Sequence, residues 1–224
     1  MLAVISDVHG NYPALKMVMA EIDRIGCTQI LSLGDVSGYY CMVNECIDAF
    51  RERQVINLMG NHDYYLVHRT ECPRSTVVNI CLAYQRNVIT AENYAYLAKS
   101  LMEYDDGVIS ARHGGWSDAL DEYITQFDFS IAETNTAKTF ASGHTHIQCI
   151  ARSAPYTYFN PGSVGQPRDR DCRAAFAVLE DDGSVSLRRV AYDISEIVEQ
   201  MKKRGFEDRI SKCLYAGVKI ERQQ

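Results

Sequence analysis

Residues 2–35 read LAVISDVHGNYPALKMVMAEIDRIGCTQILSLGD. Leu2 to Ser6 is a short apolar run ending in a polar loop, the pattern of a buried strand. Asn11 suits a helix N-cap, and Pro13 suits a first helical turn. Leu15, Val18, Met19, Ile22 and Ile25 then follow helical spacing, and Gly26 stands where such a helix stops. Gln29 to Leu33 forms a second apolar run, ending at Gly34 and Asp35. Beyond it, Val43 to Arg53 reads as a helix and Val55 to Met59 as a third strand ending at Gly60. This β-α-β-α-β order predicts parallel strands joined by crossover helices, hence an α/β fold.

Each of these strands ends directly before a polar cluster: Asp7 and His9, then Asp35, then Asn61 and His62. Open α/β sheets build sites at the carboxyl ends of their strands, so the three clusters are expected at one edge. Residues 64–103 break the pattern and predict a helical insertion beside the site, with helices over Ser75–Asn87 and Ala91–Ser100. Strand signals resume at Val108–Ala111, followed by His113, and at Thr139–Ser142, followed by Gly143 and His144. Further runs cover Thr157–Phe159, Ala174–Leu179 and Val185–Ala191, and a last helix is expected from about Ser195. With no repeat, low-complexity tract or linker, residues 1–224 are expected to form a single domain.

Composition narrows the function classes. A hydrophobic share of 46% and a charged share of 23% are those of an ordinary globular chain. A net charge of -6 argues against a general nucleic-acid binder. It leaves anionic substrates open, because bound divalent metals supply local positive charge. The apolar stretch Leu2 to Ile5 is too short for a signal peptide or a membrane span, so a cytoplasmic protein is expected. The 8 cysteines contain no C-x-x-C pair and are expected to be reduced thiols.

Five segments carry chemistry: Asp7-Val8-His9, Gly34-Asp35, Gly60-Asn61-His62-Asp63, Arg112-His113-Gly114 and Gly143-His144-Thr145-His146. One D-x-H is unspecific, and a lone histidine is more often packed or solvated than a ligand. The set says more, because five of the 6 histidines each follow a predicted strand. Mixed carboxylate and imidazole donors suit transition metals better than calcium or magnesium alone.

The order D-x-H, GD, GNHD, HG and GHTH resembles that of the calcineurin-like metallophosphoesterases, above all their small bacterial and archaeal phosphodiesterase branch. The resemblance runs from Asp7 to about Arg168. It implies a four-layer α/β/β/α sandwich and two divalent ions, manganese, iron, nickel or zinc. Asp7, His9, Asp35 and His146 would hold one ion. Asp35, Asn61, His113 and His144 would hold the other, with Asp35 bridging. Two cations roughly 3.5–4 Å apart stabilise both the attacking and the leaving oxygen of an in-line displacement. A hydroxide shared by the ions would be the nucleophile, and His62, no ligand, would act as general acid on the leaving oxygen. The implied activity is phosphate-ester hydrolysis, a diester before a monoester. The alternatives are a non-catalytic binding scaffold of the same fold and a phosphomonoesterase or protein phosphatase.

The sequence also departs from that family. The Asp-Arg-Gly triplet that protein phosphatases carry soon after GD is absent from Gly34-Asp35-Val36-Ser37-Gly38-Tyr39-Tyr40, and so is the Gly-Pro of the phosphodiesterase branch. Asn160-Pro161-Gly162-Ser163 resembles the segment that follows GHTH there, with Arg168 beyond it as a substrate-phosphate contact; a solvated loop is the plain alternative. Asp63 either orients His62 or sits on the surface, and His68 is expected on the surface without a role. Tyr39–Tyr40 and Tyr64–Tyr65 follow catalytic segments. In extended backbone one ring of each pair would face the cleft, making Tyr40 or Tyr65 a stacking partner for a nucleotide-containing substrate. The insertion offers a surface for a homodimer.

Overall fold

The structure is a computed structural model that describes residues 1–220. In chain order, β1 (Leu2–Ile5), α1 (Tyr12–Ile25), β2 (Gln29–Ser32), α2 (Val43–Glu52) and β3 (Ile56–Asn57) form the opening unit. Three helices follow, α3 (Asn61–His68), α4 (Thr76–Val88) and α5 (Ala91–Leu97). Next come β4 (Tyr104–Asp105), β5 (Ile109–Arg112), a single turn α6 (Ser130–Glu133), β6 (Thr139–Ser142), β7 (Gln148–Ser153) and β8 (Tyr156–Pro161). The chain continues through β9 (Ala174–Leu179) and β10 (Val185–Val190) to α7 (Ile194–Lys203) and α8 (Asp208–Lys212).

The strands form two sheets of five, ordered β10-β9-β1-β2-β3 and β4-β5-β6-β8-β7. As the opening stretch predicts, β1, β2 and β3 are parallel, with Leu2 opposite Gln29 and Leu31 opposite Ile56. The β9–β10 hairpin adds to β1 in antiparallel sense. In the second sheet β5, β6 and β8 are parallel, and β4 and β7 close its edges antiparallel.

Alternation along the strands builds the layers. Val4, Ala177, Leu179, Ala141 and Phe159 turn into the space between the sheets. Ala3, Ile5, Phe176 and Val178 turn the other way, under α1, α2, α4 and α7. Phe140 and Tyr158 face outward from the second sheet against Ile124, Phe127 and Ala132. The fold is thus the expected α/β/β/α sandwich, but its fourth layer is mostly loop, with α6 as its one helical turn. β9 reads AAFAVL and is buried throughout, because both of its faces are covered. Truncating a side chain such as Phe159 in this core costs about 3–5 kcal/mol.

Local signals explain the boundaries. The Asn11 side chain accepts a hydrogen bond from Ala14 N at 3.3 Å, and Gly26 ends α1 at φ 84. β7 has no counterpart in the sequence reading, since QCIARS is only half-buried and carries no apolar run. The helical segment also starts earlier than position 64: α3 begins at Asn61, so Asn61 and His62 occupy a helix's first turn. Among the described residues, no helix is long and apolar enough to cross a membrane, and all eight cysteines are free.

Candidate metal centre

Five strand-end loops converge on one buried cluster. Asp7 and His9 follow β1, Asp35 follows β2, Asn61 and His62 open α3 after β3, His113 follows β5, and His144 and His146 follow β6. Asp7, His9, Asp35, His144 and His146 all adopt left-handed backbone, with φ between 53 and 64. Such angles cost about 1–3 kcal/mol each in a non-glycine residue and persist only where the surroundings enforce them. Here the loops brace one another: Asp7 N donates to Gly34 O at 3.0 Å, His9 N to Asp35 O at 2.9 Å, Gly165 N to Asp7 O at 3.0 Å and Gly143 N to His113 O at 2.9 Å.

The side chains meet in two overlapping groups. His146 Nε2 stands 3.2 Å from both Asp7 Oδ1 and His9 Nε2. His9 Nε2 lies 3.8 Å from Asp35 Oδ2. On the far side of Asp35, His113 Nε2 is 3.5 Å from the same Oδ2, 3.2 Å from Asn61 Oδ1 and 3.2 Å from His144 Nδ1. Asp35 therefore stands between the two groups.

Asp7, Asp35, His9, His113 and His146 are each tied down at one atom and open at another. Asp7 Oδ2 accepts from Ser6 Oγ at 2.6 Å and from His144 N at 3.1 Å, while Oδ1 is buried without a partner. Asp35 Oδ1 accepts from His62 N at 2.8 Å, while Oδ2 is likewise unpartnered. His9, His113 and His146 each place Nδ1 against a main-chain carbonyl, of Ser37 (2.8 Å), Leu33 (2.8 Å) and Gln166 (2.7 Å). Those carbonyls fix the proton on Nδ1 and leave the Nε2 lone pairs aimed at the cluster, the usual support of metal-ligating imidazoles. His144 presents Nδ1 instead, and the Tyr123 ring lies 4.1 Å from its own.

Electrostatics point the same way. Burial, with Asp63 and Asp7 close by, pushes the Asp35 carboxyl well above its usual range. Burial pushes Asp7 upward too, but His146, His113 and His9 together outweigh it and hold the group well below its usual range. Burial pushes His9 and His146 down, and His144 down to about 2. Neutral imidazoles beside carboxylate oxygens that lack partners form a donor set that fits divalent transition metals.

His62 is buried, with Nε2 at 3.9 Å from Asp35 Oδ2 and with Nδ1 unpartnered. Its ring packs on His9 and Tyr39 at 4.8 and 4.9 Å. Burial, with His9 and His146 adjacent, pushes its imidazole down. Half-buried Arg168 donates from Nη2 to the Tyr39 hydroxyl at 3.2 Å and from Nε to Gln166 Oε1 at 3.1 Å. The cluster opens into a cavity of about 840 Å³ lined by Tyr39, Tyr123, Arg168 and the start of α4.

Three sequence expectations change. Asp63 neither orients His62 nor lies on the surface. It is fully buried and accepts from Asp35 N (2.8 Å), Ser37 N (2.9 Å) and Ser37 Oγ (2.7 Å), and from Val36 N and Gly60 N (both 3.3 Å). Tyr40 is not at the rim: it is fully buried, and its hydroxyl accepts from Gln166 Nε2 at 3.1 Å. Tyr65 lies in a helix rather than extended backbone and turns its hydroxyl to Asp121 at 3.4 Å. Tyr39 and Tyr123 line the cavity instead. Nothing in the sequence marks Tyr123, which reaches the cleft from a loop beyond the His113 segment. His68 is exposed, stacked on Tyr64 at 4.1 Å.

The comparisons agree with this geometry. An uncharacterized protein of Methanocaldococcus jannaschii is 27% identical over 97% of this chain and 98% of its own. A crystal structure of a metallophosphoesterase from Sphaerobacter thermophilus is 30% identical, with a TM-score of 0.84 over 97% of this chain and 98% of that one. A hypothetical protein from Pyrococcus horikoshii, 21% identical, has the same fold at a TM-score of 0.85, covering 97% of this chain and 99% of that one. Residues 1–183 match the calcineurin-like phosphoesterase superfamily domain, and the chain belongs to that superfamily.

Proposed function

We propose that this protein hydrolyses phosphodiesters with two divalent cations, one held by Asp7, His9, Asp35 and His146, the other by Asp35, Asn61, His113 and His144. The observation that carries this reading is the pair of buried, unpartnered carboxylate oxygens, Asp7 Oδ1 and Asp35 Oδ2, facing three imidazole Nε2 atoms. When bound, the cations polarise the phosphoryl group and activate water. The chain supplies the rest. Carbonyls behind His9, His113 and His146 hold the ligands in register before substrate arrives. His62 gives a proton to the leaving oxygen; burial holds its imidazole down, and an entering anionic ester raises its proton affinity.

A diester is favoured over a monoester on space. Arg168 reaches the cluster in place of the family arginine absent after Asp35, while Arg74 and Arg209 also line the cleft. A cavity of about 840 Å³ far exceeds one phosphoryl group, leaving room for substituents on both sides. Tyr123 is exposed at the cleft mouth and suits a planar group such as a nucleobase.

The test is a screen of manganese-loaded protein against aryl phosphodiesters, dinucleotides and aryl monoesters. Diester turnover should exceed monoester turnover. His62→Gln should keep its metals yet lose about 10²–10⁴-fold in kcat, less with good leaving groups. Faster monoester cleavage would refute the diester reading. Full metal loading without turnover of any ester would favour the binding scaffold.

A further inference from the structure

Gln85 lies in the interior of α4 and is fully buried. A buried amide is costly unless both of its ends are paired. Both ends of Gln85 reach across to the loop after Asp35: Oε1 accepts from Gly38 N at 2.9 Å, and Nε2 donates to Tyr40 O at 2.6 Å. The amide's orientation is fixed, since a flip would set donor against donor and acceptor against acceptor. The loop is also strapped to the β1 side, where Tyr40 N donates to His9 O at 2.7 Å.

Gly38 is the part of this loop that meets the site. At φ +132 it turns its bare Cα toward the imidazoles, and a Cβ there would lie 2.4 Å from His9 Nδ1 and 2.7 Å from His62 Nδ1. His9, His113 and His146 are oriented by hydrogen bonds to carbonyls, but His62 Nδ1 has no partner at all. Packing between Gly38, His9 and Tyr39 orients the His62 ring, whose Nε2 faces Asp35 Oδ2 at 3.9 Å. The two ends of the loop are anchored separately. Asp63 grips Ser37, whose carbonyl orients His9, while Gln85 grips Gly38 and Tyr40.

We infer that Gln85 is a positioning residue for His62, and that the helical segment after β3 thereby sets the proton-transfer geometry of the site. This rests on the reading of His62 given above. The amide holds the Gly38 wall, and the wall holds the ring.

The test is Gln85→Met, near in volume and without the amide, made in the native and the His62→Gln backgrounds. A displacement of about 1 Å at a reacting group costs up to about 100-fold, so kcat should fall about 10–100-fold in the native background. Metal content should not change, and the loss should shrink with good leaving groups, as for His62→Gln. In the His62→Gln background the second substitution should cost almost nothing, because both act on the same proton transfer. Additive losses would overturn the inference, as would loss of metal in Gln85→Met, which would place the effect on His9. A fully active His62→Gln single variant would refute the role of His62 itself, and the inference with it. Where Met disturbs α4, Gln85→Glu keeps an acceptor for Gly38 N–H and, protonated in this buried site, a donor for Tyr40 O, and should fall between native and Gln85→Ala; a Glu variant as impaired as Gln85→Ala would count against the wall.

Discussion

Replacing Asp63 with asparagine changes one buried atom and tests whether the Asp35 loop is held in place before metal binds. Asp63 Oδ1 receives Ser37 N and Ser37 Oγ; Oδ2 receives Asp35 N, Val36 N and Gly60 N. An asparagine must set its NH2 against one of these groups. Facing Asp35, Val36 and Gly60 it would strand three main-chain donors. Facing Ser37 it strands one, because the hydroxyl can reverse and accept. The cheaper arrangement leaves one buried N–H unpaired, at about 1–3 kcal/mol. Loss of the negative charge weakens the surviving bonds, charge-assisted ones being about twice as strong as neutral ones, which adds roughly 1 kcal/mol. The expected destabilisation is about 2–4 kcal/mol. For a chain of this length that lowers Tm by about 4–16 °C. The assay is thermal unfolding in excess chelator, at alkaline pH because burial pushes the Asp63 carboxyl up. Metal titration by calorimetry should show weaker binding as well, since Asp35 is left less constrained. An unfolding midpoint and metal affinity both equal to native would refute the clamp.

Other predictions follow from the cleft. Tyr123→Ala should raise KM for a nucleotide diester about 5–150-fold, from a stacking contribution of about 1–3 kcal/mol, and leave a dimethyl phosphodiester unaffected. Steady-state kinetics on the two substrates decides it, and equal effects would remove the stacking contact. Arg168→Ala should lower kcat/KM about 10–100-fold, the worth of about 1.5–3 kcal/mol for a charged hydrogen bond. Arg168→Lys should fail to restore it, because an ammonium cannot hold a planar fork; full rescue by lysine would count against a bidentate phosphate contact.

The order of β1, α1, β2, α2 and β3 was legible because each element carries its own period and its own stop, as Asn11 and Gly26 do for α1. The site residues were legible as candidates because strand ends in a parallel sheet share an edge, so Asp7, Asp35 and Asn61 had to come near one another. What escaped the sequence rests on main-chain partners. Asp63 accepts mostly from backbone N–H groups of residues 35–37, and Gln85 pairs with the backbone of residues 38 and 40; no side-chain pattern advertises either. The tyrosine pairs mislead because only extended backbone would send one ring of each toward the cleft. Asn61–His68 is a helix, and its turn carries Tyr65 away from the cleft toward Asp121. β7 was invisible because an edge strand open to solvent needs no apolar alternation.

The central claim is a pair of cations sharing Asp35. Elemental analysis of the manganese-reconstituted, gel-filtered protein tests it most directly. The account predicts about two ions per chain for the native protein, and for Asp35→Asn a loss at both sites rather than one, because the carboxylate oxygen between the groups serves both. A native protein that retains no ion or a single one, or an Asp35→Asn variant that still holds two, would contradict it.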